Sequence, residues 1–445
     1  MTFKYELLSQ PSARRPPSLL HRYRFVIMLV TVLALVYLTT VCSGRALPFN
    51  VAKKSRWEPL RFDEDGNFQL AIFEDLHFGE NAWDSWGPQQ DLNSVRVLND
   101  VLAAETQHLV ILNGDLITGE NQYKFNATSK IDQIVAPIVQ RNLPWASTYG
   151  NHDSDFNLSR SDILAREQCY PNALTRSDVN APNAGVSNYY LPVYPHNGGN
   201  VPCLILWSFD SRGGFLYQQR NATGAKVGQP NWVDQSVVDW FKTTNKRLTT
   251  RYNATIPSLA FVHIPTNASQ ALQTQAGVNP YYQPGINDDY PLAQQAQGYC
   301  PNGTNDGTCD YGGQDVPFMD AITSTPGLLA LFSGHDHGDT WCYKWNHLLP
   351  GMSIKGNGVN ICFGQHSGYG GYGSWTRGAR QVRVSEEGLR EGKVETWIRL
   401  ETGGVVGSVE LNATYGEDRY PATLNTNSSC GSCNYSRVTP MPGTG

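Results

Sequence analysis

Short apolar runs recur along the chain at Phe68 to Phe73, Leu109 to Leu112, Leu204 to Phe209, Leu259 to Val262 and Leu328 to Phe332. Their length and their polar flanks suit strands buried on both faces rather than helices. Between them, Leu92, Val95, Leu98, Val101 and Leu102 fall at helical spacing, and so do Trp232, Ser236, Val237, Trp240 and Phe241. Strands alternating with helices predict an α/β sheet core. The stretch 265–317 is rich in Asn, Gln, Gly, Pro and Tyr, which predicts a long surface loop stapled by Cys300 and Cys309. No internal repeat appears.

The chain ends differ from this body. Phe25 to Val41 carries no charge and is about the minimum length for a membrane-spanning helix. Length favours a signal anchor, while the small residues Cys42-Ser43-Gly44 keep a cleaved signal peptide open. Basic residues flank the segment on both sides, so charge does not orient it. The reading divides the chain into a cytosolic tail (1–24), an apolar segment (25–42), a linker (43–60), one catalytic domain (61–405) and a loosely ordered tail (406–445).

Two features place the body in an oxidising lumen. N-glycosylation triplets start at Asn126, Asn157, Asn221, Asn253, Asn267, Asn302, Asn412, Asn427 and Asn434, all beyond the apolar segment. Of the 9 cysteines only Cys42 falls at that segment, and the even remainder suits disulfides, with Cys430 and Cys433 a second near pair. The expectation is a secretory-pathway protein carrying N-glycans. It is a type II membrane protein with a luminal or extracellular domain if the anchor stays, or secreted or vacuolar if it is cleaved. A net charge of -5, with no Lys/Arg run beyond pairs such as Lys53-Lys54, excludes a nucleic-acid-binding arm.

Chemistry gathers where apolar runs stop. Phe73 leads into Glu74-Asp75-Leu76-His77, Leu112 into Asn113-Gly114-Asp115, Val262 into His263-Ile264-Pro265, and Phe332 into Ser333-Gly334-His335-Asp336-His337. Gly150-Asn151-His152-Asp153 follows the stretch Leu143 to Tyr149. Carboxyl ends of strands in an α/β sheet converge on one crevice, so these loops can meet. Each motif alone is weak, because a lone His after a strand is usually structural. Together they supply imidazoles, carboxylates and one amide, a mixture that suits two ions of iron, zinc or manganese. Two such cations about 3.5–4 Å apart need a shared carboxylate, and Asp115 is the natural bridge.

In this order the motifs resemble the calcineurin-like metallophosphoesterase superfamily, which includes the purple acid phosphatases. His263-Ile264-Pro265, Gly334-His335-Asp336-His337 and His366-Ser367-Gly368-Tyr369-Gly370-Gly371-Tyr372-Gly373, followed by Arg377 and Arg380, look more narrowly like a single-domain fungal and plant subgroup. The resemblance implies a β-sandwich of two mixed sheets flanked by helices. It implies Asp75, His77, Asp115 and His337 on one metal, and Asp115, Asn151, His263 and His335 on the other. It also implies His152 as the group that contacts the phosphate and protonates the leaving oxygen.

Other residues take lesser roles. Asp153 and Asp336 are expected to orient histidines, and His366 to touch substrate, although a Gly-rich structural hairpin suits its segment equally. Arg377 and Arg380 could hold a phosphate or form salt bridges. One departure from the purple acid phosphatases is Thr118, which stands where they place a tyrosine ligand. The leading expectation is a two-metal phosphomonoesterase. A phosphodiesterase on the same core is the nearest alternative, and a catalytically weak glycosylated binding protein is an alternative of another class.

Overall fold

The computed structural model describes residues 58–293, 300, 309 and 311–428, all within a unit spanning Lys53–Gly445. The apolar segment 25–42 and the Cys430/Cys433 pair lie outside the described residues. Among the described residues no helix is long and apolar enough to cross a membrane.

Two six-stranded mixed sheets carry the architecture. The first contains β1 (Asn67–Phe73), β2 (Leu109–Asn113), β3 (Trp145–Thr148), β12 (Gly378–Ser385), β13 (Val394–Leu400) and β14 (Val405–Leu411), in the order β14-β13-β12-β1-β2-β3. The second contains β4 (Tyr189–Val193), β5 (Leu204–Phe209), β8 (Ser258–Val262), β9 (Leu328–Ser333), β10 (Cys342–Trp345) and β11 (Val359–Phe363), in the order β10-β11-β9-β8-β5-β4. A separate hairpin joins β6 (Phe215–Arg220) to β7 (Lys226–Gly228). Strands β1, β2 and β3 run parallel to one another, as do β5, β8, β9 and β11. Their carboxyl ends therefore open on the same edge of each sheet.

Alternation along each strand explains the layering. In β1, Phe68, Leu70 and Ile72 join Leu109, Ile111, Leu206, Leu259, Phe261 and Phe332 in one core. Ala71 and Phe73 point the other way, onto helices α1 (Trp86–Ala104) and α2 (Ser129–Gln140). The opposite face of the second sheet packs Ile205, Trp207 and Phe209 on α4 (Gln235–Tyr252) and α5 (Val316–Ser324). Helix α3 (Arg160–Glu167) follows the β3 loop. Large side chains buried in this way are worth roughly 1.5–3 kcal/mol each.

The pattern misplaces parts of this scheme. Leu92 is 64% exposed, because the inward face of α1 there is polar. Asp91 accepts from Gly79 N (2.9 Å) and from Lys130 Nζ (2.8 Å), and Ser94 Oγ accepts from Tyr369 N (2.8 Å). That half of the helix holds loops instead of filling the core. Trp232 precedes α4, whose buried face is Val237, Val238, Phe241, Thr244 and Leu248. The expected loop 265–317 holds a helix, Asn267–Ala271, wound onward through Leu272–Gly277. Cys300 and Cys309 are bonded as expected, and a second disulfide, Cys342–Cys362, links the neighbouring strands β10 and β11.

A domain end at 405 cuts β14 in two. Gly407 and Ser408 dilute its alternation, yet Val409 and Leu411 are buried and Tyr415 Oη donates to Cys342 O at 2.7 Å.

Candidate metal centre

Each loop leaving β1, β2, β3, β8 and β9 brings one or two polar side chains to the same place. Asp75, His77, Asp115 and Asn151 come from the first sheet, and His263, His335 and His337 from the second. Four of these are folded back into left-handed backbone: Asp75 (φ 53°), His77 (φ 48°), Asp115 (φ 48°) and His335 (φ 76°). Such conformations cost about 1–3 kcal/mol each and persist only where surroundings enforce them. Here Leu76 N and His77 N both donate to Asp115 O (2.8 and 3.0 Å), and Asp75 N donates to Gly114 O (3.1 Å). Gly150 is required for a different reason, since a Cβ there would lie 2.2 Å from Asp115 Oδ1.

The side chains form two groups. Asp75, His77 and His337 place ligand atoms within 4.8 Å of one another, and so do Asp115, His263 and His335. Asp115 Oδ2 lies between them, 3.8 Å from His77 Nε2 and 3.0 Å from His263 Nε2, the latter without hydrogen-bond geometry. His337 Nε2 faces His77 Nε2 at 3.3 Å and Asp75 Oδ1 at 3.5 Å, so several Lewis bases surround one point.

The groups fit metal ions. Asn151 Oδ1, His263 Nε2 and His335 Nε2 are buried without a hydrogen-bond partner, which costs about 1–3 kcal/mol for each such atom unless something else satisfies it. The far nitrogens of the rings are held: His263 Nδ1 donates to Asn113 O and His337 Nδ1 to Tyr372 O, each at 2.9 Å. Those bonds fix both rings with Nε2 turned toward the carboxylates. His77 Nδ1 meets Thr118 Oγ1 at 2.9 Å, so the residue in the expected tyrosine position supports a ligand. Burial and the nearby His152 push His77 down to about 3, and burial with His263 pushes His335 down to about 4. Both rings are neutral. Burial also opposes charge on His263, but Asp115 and Asp75 hold it up at about 10, so a cation arriving between them displaces a proton.

His152 stands beside these groups, its ring centroid 5.0 Å from that of His77. Its backbone N donates to Asp115 Oδ1 at 2.8 Å, and its Nδ1 lies 2.9 Å from Glu120 Oε1. Burial lowers the ring's proton affinity, yet the Glu120 and Asp115 carboxylates override it and hold His152 well above the usual imidazole range. Glu120 escapes motif reading because it is a single carboxylate five residues beyond Asp115. Its presence in the same strand-end loop, Gly114-Asp115-Leu116-Ile117-Thr118-Gly119-Glu120, is the available signal. Arg160 escapes as well. Its buried guanidinium donates to Gly150 O (2.7 Å) and pairs with Asp210 (3.2 Å), which fixes the loop that carries Asn151.

Several lesser expectations need correction. Asp153 orients no histidine; it accepts from Leu116 N (2.9 Å), Ile117 N (3.0 Å) and Gly150 N (2.9 Å), tying the Asp115 loop to the Asn151 loop. Asp336 accepts from Ala293 N (2.8 Å) and likewise meets no imidazole. Main-chain carbonyls and Thr118 do the orienting. His366 is 1% exposed, its ring packs 3.9 Å from that of His337 and its Nε2 donates to Gly370 O (3.0 Å), which leaves no face for a substrate. Arg377 and Arg380 are buried, and their guanidinium groups donate chiefly to main-chain carbonyls, including Gly373 O and Phe363 O. Neither presents a free fork to a phosphate.

A model of the calcineurin-like phosphoesterase family matches residues 69–339, a stretch that begins in β1 and ends just beyond His337. The chain belongs to this family. Among its phosphoesterase relatives is the Arabidopsis thaliana protein named "Probable inactive purple acid phosphatase 14", 26% identical over 411 residues that span 85% of this chain and 91% of the relative. Another is "Phosphatase DCR2" of Saccharomyces cerevisiae, 25% identical over 354 residues that span 77% of this chain and 55% of the relative. A solved dimetal phosphatase from Danio rerio aligns at 15% identity with a TM-score of 0.44, over 78% of this chain and 98% of that one.

Proposed function

We propose that this chain is a phosphomonoesterase that holds two cations, of iron, zinc or manganese, with Asp115 as their bridge. Asp75, His77 and His337 complete one site, and Asn151, His263 and His335 the other. When bound, such a pair supplies Lewis-acid activation of water and of the phosphoryl group. The chain's residues do the rest. Asp115 and Asn151 would hold the cations on the strand-end loops, and His152 gives its proton to the departing ester oxygen as the P–O bond breaks. Because Nδ1 is engaged by Glu120, Nε2 carries the transferable proton. The observation that supports this reading best is the His152 ring beside the ligand groups with Glu120 on its far nitrogen, since an alkoxide leaves far more readily when a positioned acid protonates it.

Diesters could react on the same core. The name "inactive" on a plant relative favours a second reading, a glycosylated binding protein with weak turnover. Loading the domain separately with iron, zinc and manganese, and assaying an alkyl phosphomonoester beside a diester, tests these readings together. Faster monoester turnover is expected. Preference for the diester would replace the first reading with the second activity, and two bound metals with no turnover of either would leave the binding protein.

A further inference from the structure

The loop carrying His152 continues into a cationic, aromatic ridge. Phe156, four residues on, lies under the Arg220 guanidinium at 4.5 Å and the Lys226 ammonium at 5.5 Å. Lys226 also covers Phe215 at 5.1 Å and reaches Asp155 Oδ1 at 3.5 Å, and Lys124 lies 5.2 Å over the Tyr217 ring. Asp155 belongs with Glu120 and His152 to one close group, so the ridge adjoins the acid. The β6–β7 hairpin is fastened there by Gln218, whose Nε2 donates to Phe156 O (2.6 Å) and Asn157 Oδ1 (3.2 Å). Among the described residues, Lys124 and Arg220 are exposed and form no ion pair with a carboxylate.

Geometry connects this ridge to substrate choice, on the proposed reading that the His152 ring, 5.0 Å from that of His77, faces the leaving oxygen. The leaving group then lies on the His152 side and extends over Phe156 and the hairpin. Cations resting on aromatic faces keep their charge while losing side-chain freedom, so they are ready to meet an anion. We infer that the preferred substrates are small phosphate esters whose leaving group carries at least one further phosphate, held by Lys124, Arg220 and Lys226.

The test compares fructose 1,6-bisphosphate with fructose 6-phosphate, using the metal-loaded chain and its Lys124→Gln/Arg220→Gln double variant. Both substituted residues are exposed, so folding is not at risk. The parent protein should favour the bisphosphate by about tenfold or more in kcat/KM, through a lower KM, and this preference should shrink as salt rises. In the double variant the ratio should fall toward one. A parent ratio near one, or the same ratio in parent and variant, would overturn this inference while leaving the phosphatase reading intact. Absence of turnover on both sugar phosphates and on an aryl phosphate would remove both.

Discussion

Glu120 Oε1 lies 2.9 Å from His152 Nδ1, so the candidate acid of the site is held by a carboxylate from the β2 loop. An imidazolium acts as an acid only while protonated, and that form is lost as pH rises through its pKa. Glu120 raises the pKa, extending activity toward alkaline pH. Glu120→Gln should therefore move the alkaline limb of kcat on an alkyl phosphate to lower pH by about one unit or more. An unmoved limb in a pH–rate profile would remove Glu120 from this role.

Adjacent residues of one loop should behave differently. Asn151→Ala removes a buried amide oxygen aimed at the metal groups, so metal content and turnover should fall together. His152→Ala should keep both metals and lose about 10²- to 10⁴-fold in rate on alkyl phosphates, with a smaller loss on an aryl phosphate whose leaving group needs no proton. Metal analysis and two-substrate kinetics on the same samples separate the cases. Equal losses on both substrates would leave His152 only a phosphate-positioning part.

Asp153 makes a test of architecture rather than chemistry. Asp153→Ala strands the amides of Leu116, Ile117 and Gly150, each worth about 1–3 kcal/mol when buried and unpaired. The urea midpoint of the metal-free protein should drop sharply. A shift below about 1 kcal/mol would mean that water replaces the carboxylate.

The strands were largely legible because a strand buried on both faces announces itself as an uninterrupted apolar run, and each such run here except Leu204 to Phe209 stops at a candidate ligand motif. Leu92 shows where pattern reading fails: apolar spacing cannot reveal that Asp91 and Ser94 are recruited to hold loops brought from elsewhere in the chain. The same holds for Asp153, whose partners at Leu116 and Ile117 become visible only once the loops are folded together. Glu120 and Arg160 are single residues with no spacing signature. For Arg377 and Arg380 sequence left phosphate binding and salt bridges both open, and the main-chain carbonyls around them decide for neither.

A luminal placement of the body, which we propose from the acceptor triplets and the even cysteine count, is open to a direct test. Asn221 and Asn253 are exposed, the former on the hairpin turn and the latter at the end of α4. Protein from a eukaryotic secretory host should gain gel mobility on endoglycosidase digestion, and substitution of both asparagines by Gln should reduce that gain. An unchanged band before and after digestion would argue against a glycosylated luminal domain.

The ligand groups are assembled from both sheets: His337 joins Asp75 and His77 across the gap, and His263 and His335 join Asp115. Any bound ion would therefore be a rivet between two halves that otherwise meet through a shared apolar core and a few buried hydrogen bonds, such as Tyr189 Oη to Ser147 O at 2.7 Å and Arg380 Nε to Phe363 O at 2.6 Å. Sliding of one sheet against the other would pull both coordination spheres apart at once. The centre thus doubles as a strain gauge for the sandwich, and a substitution deep between the sheets, far from any ligand, would register first as faster metal escape.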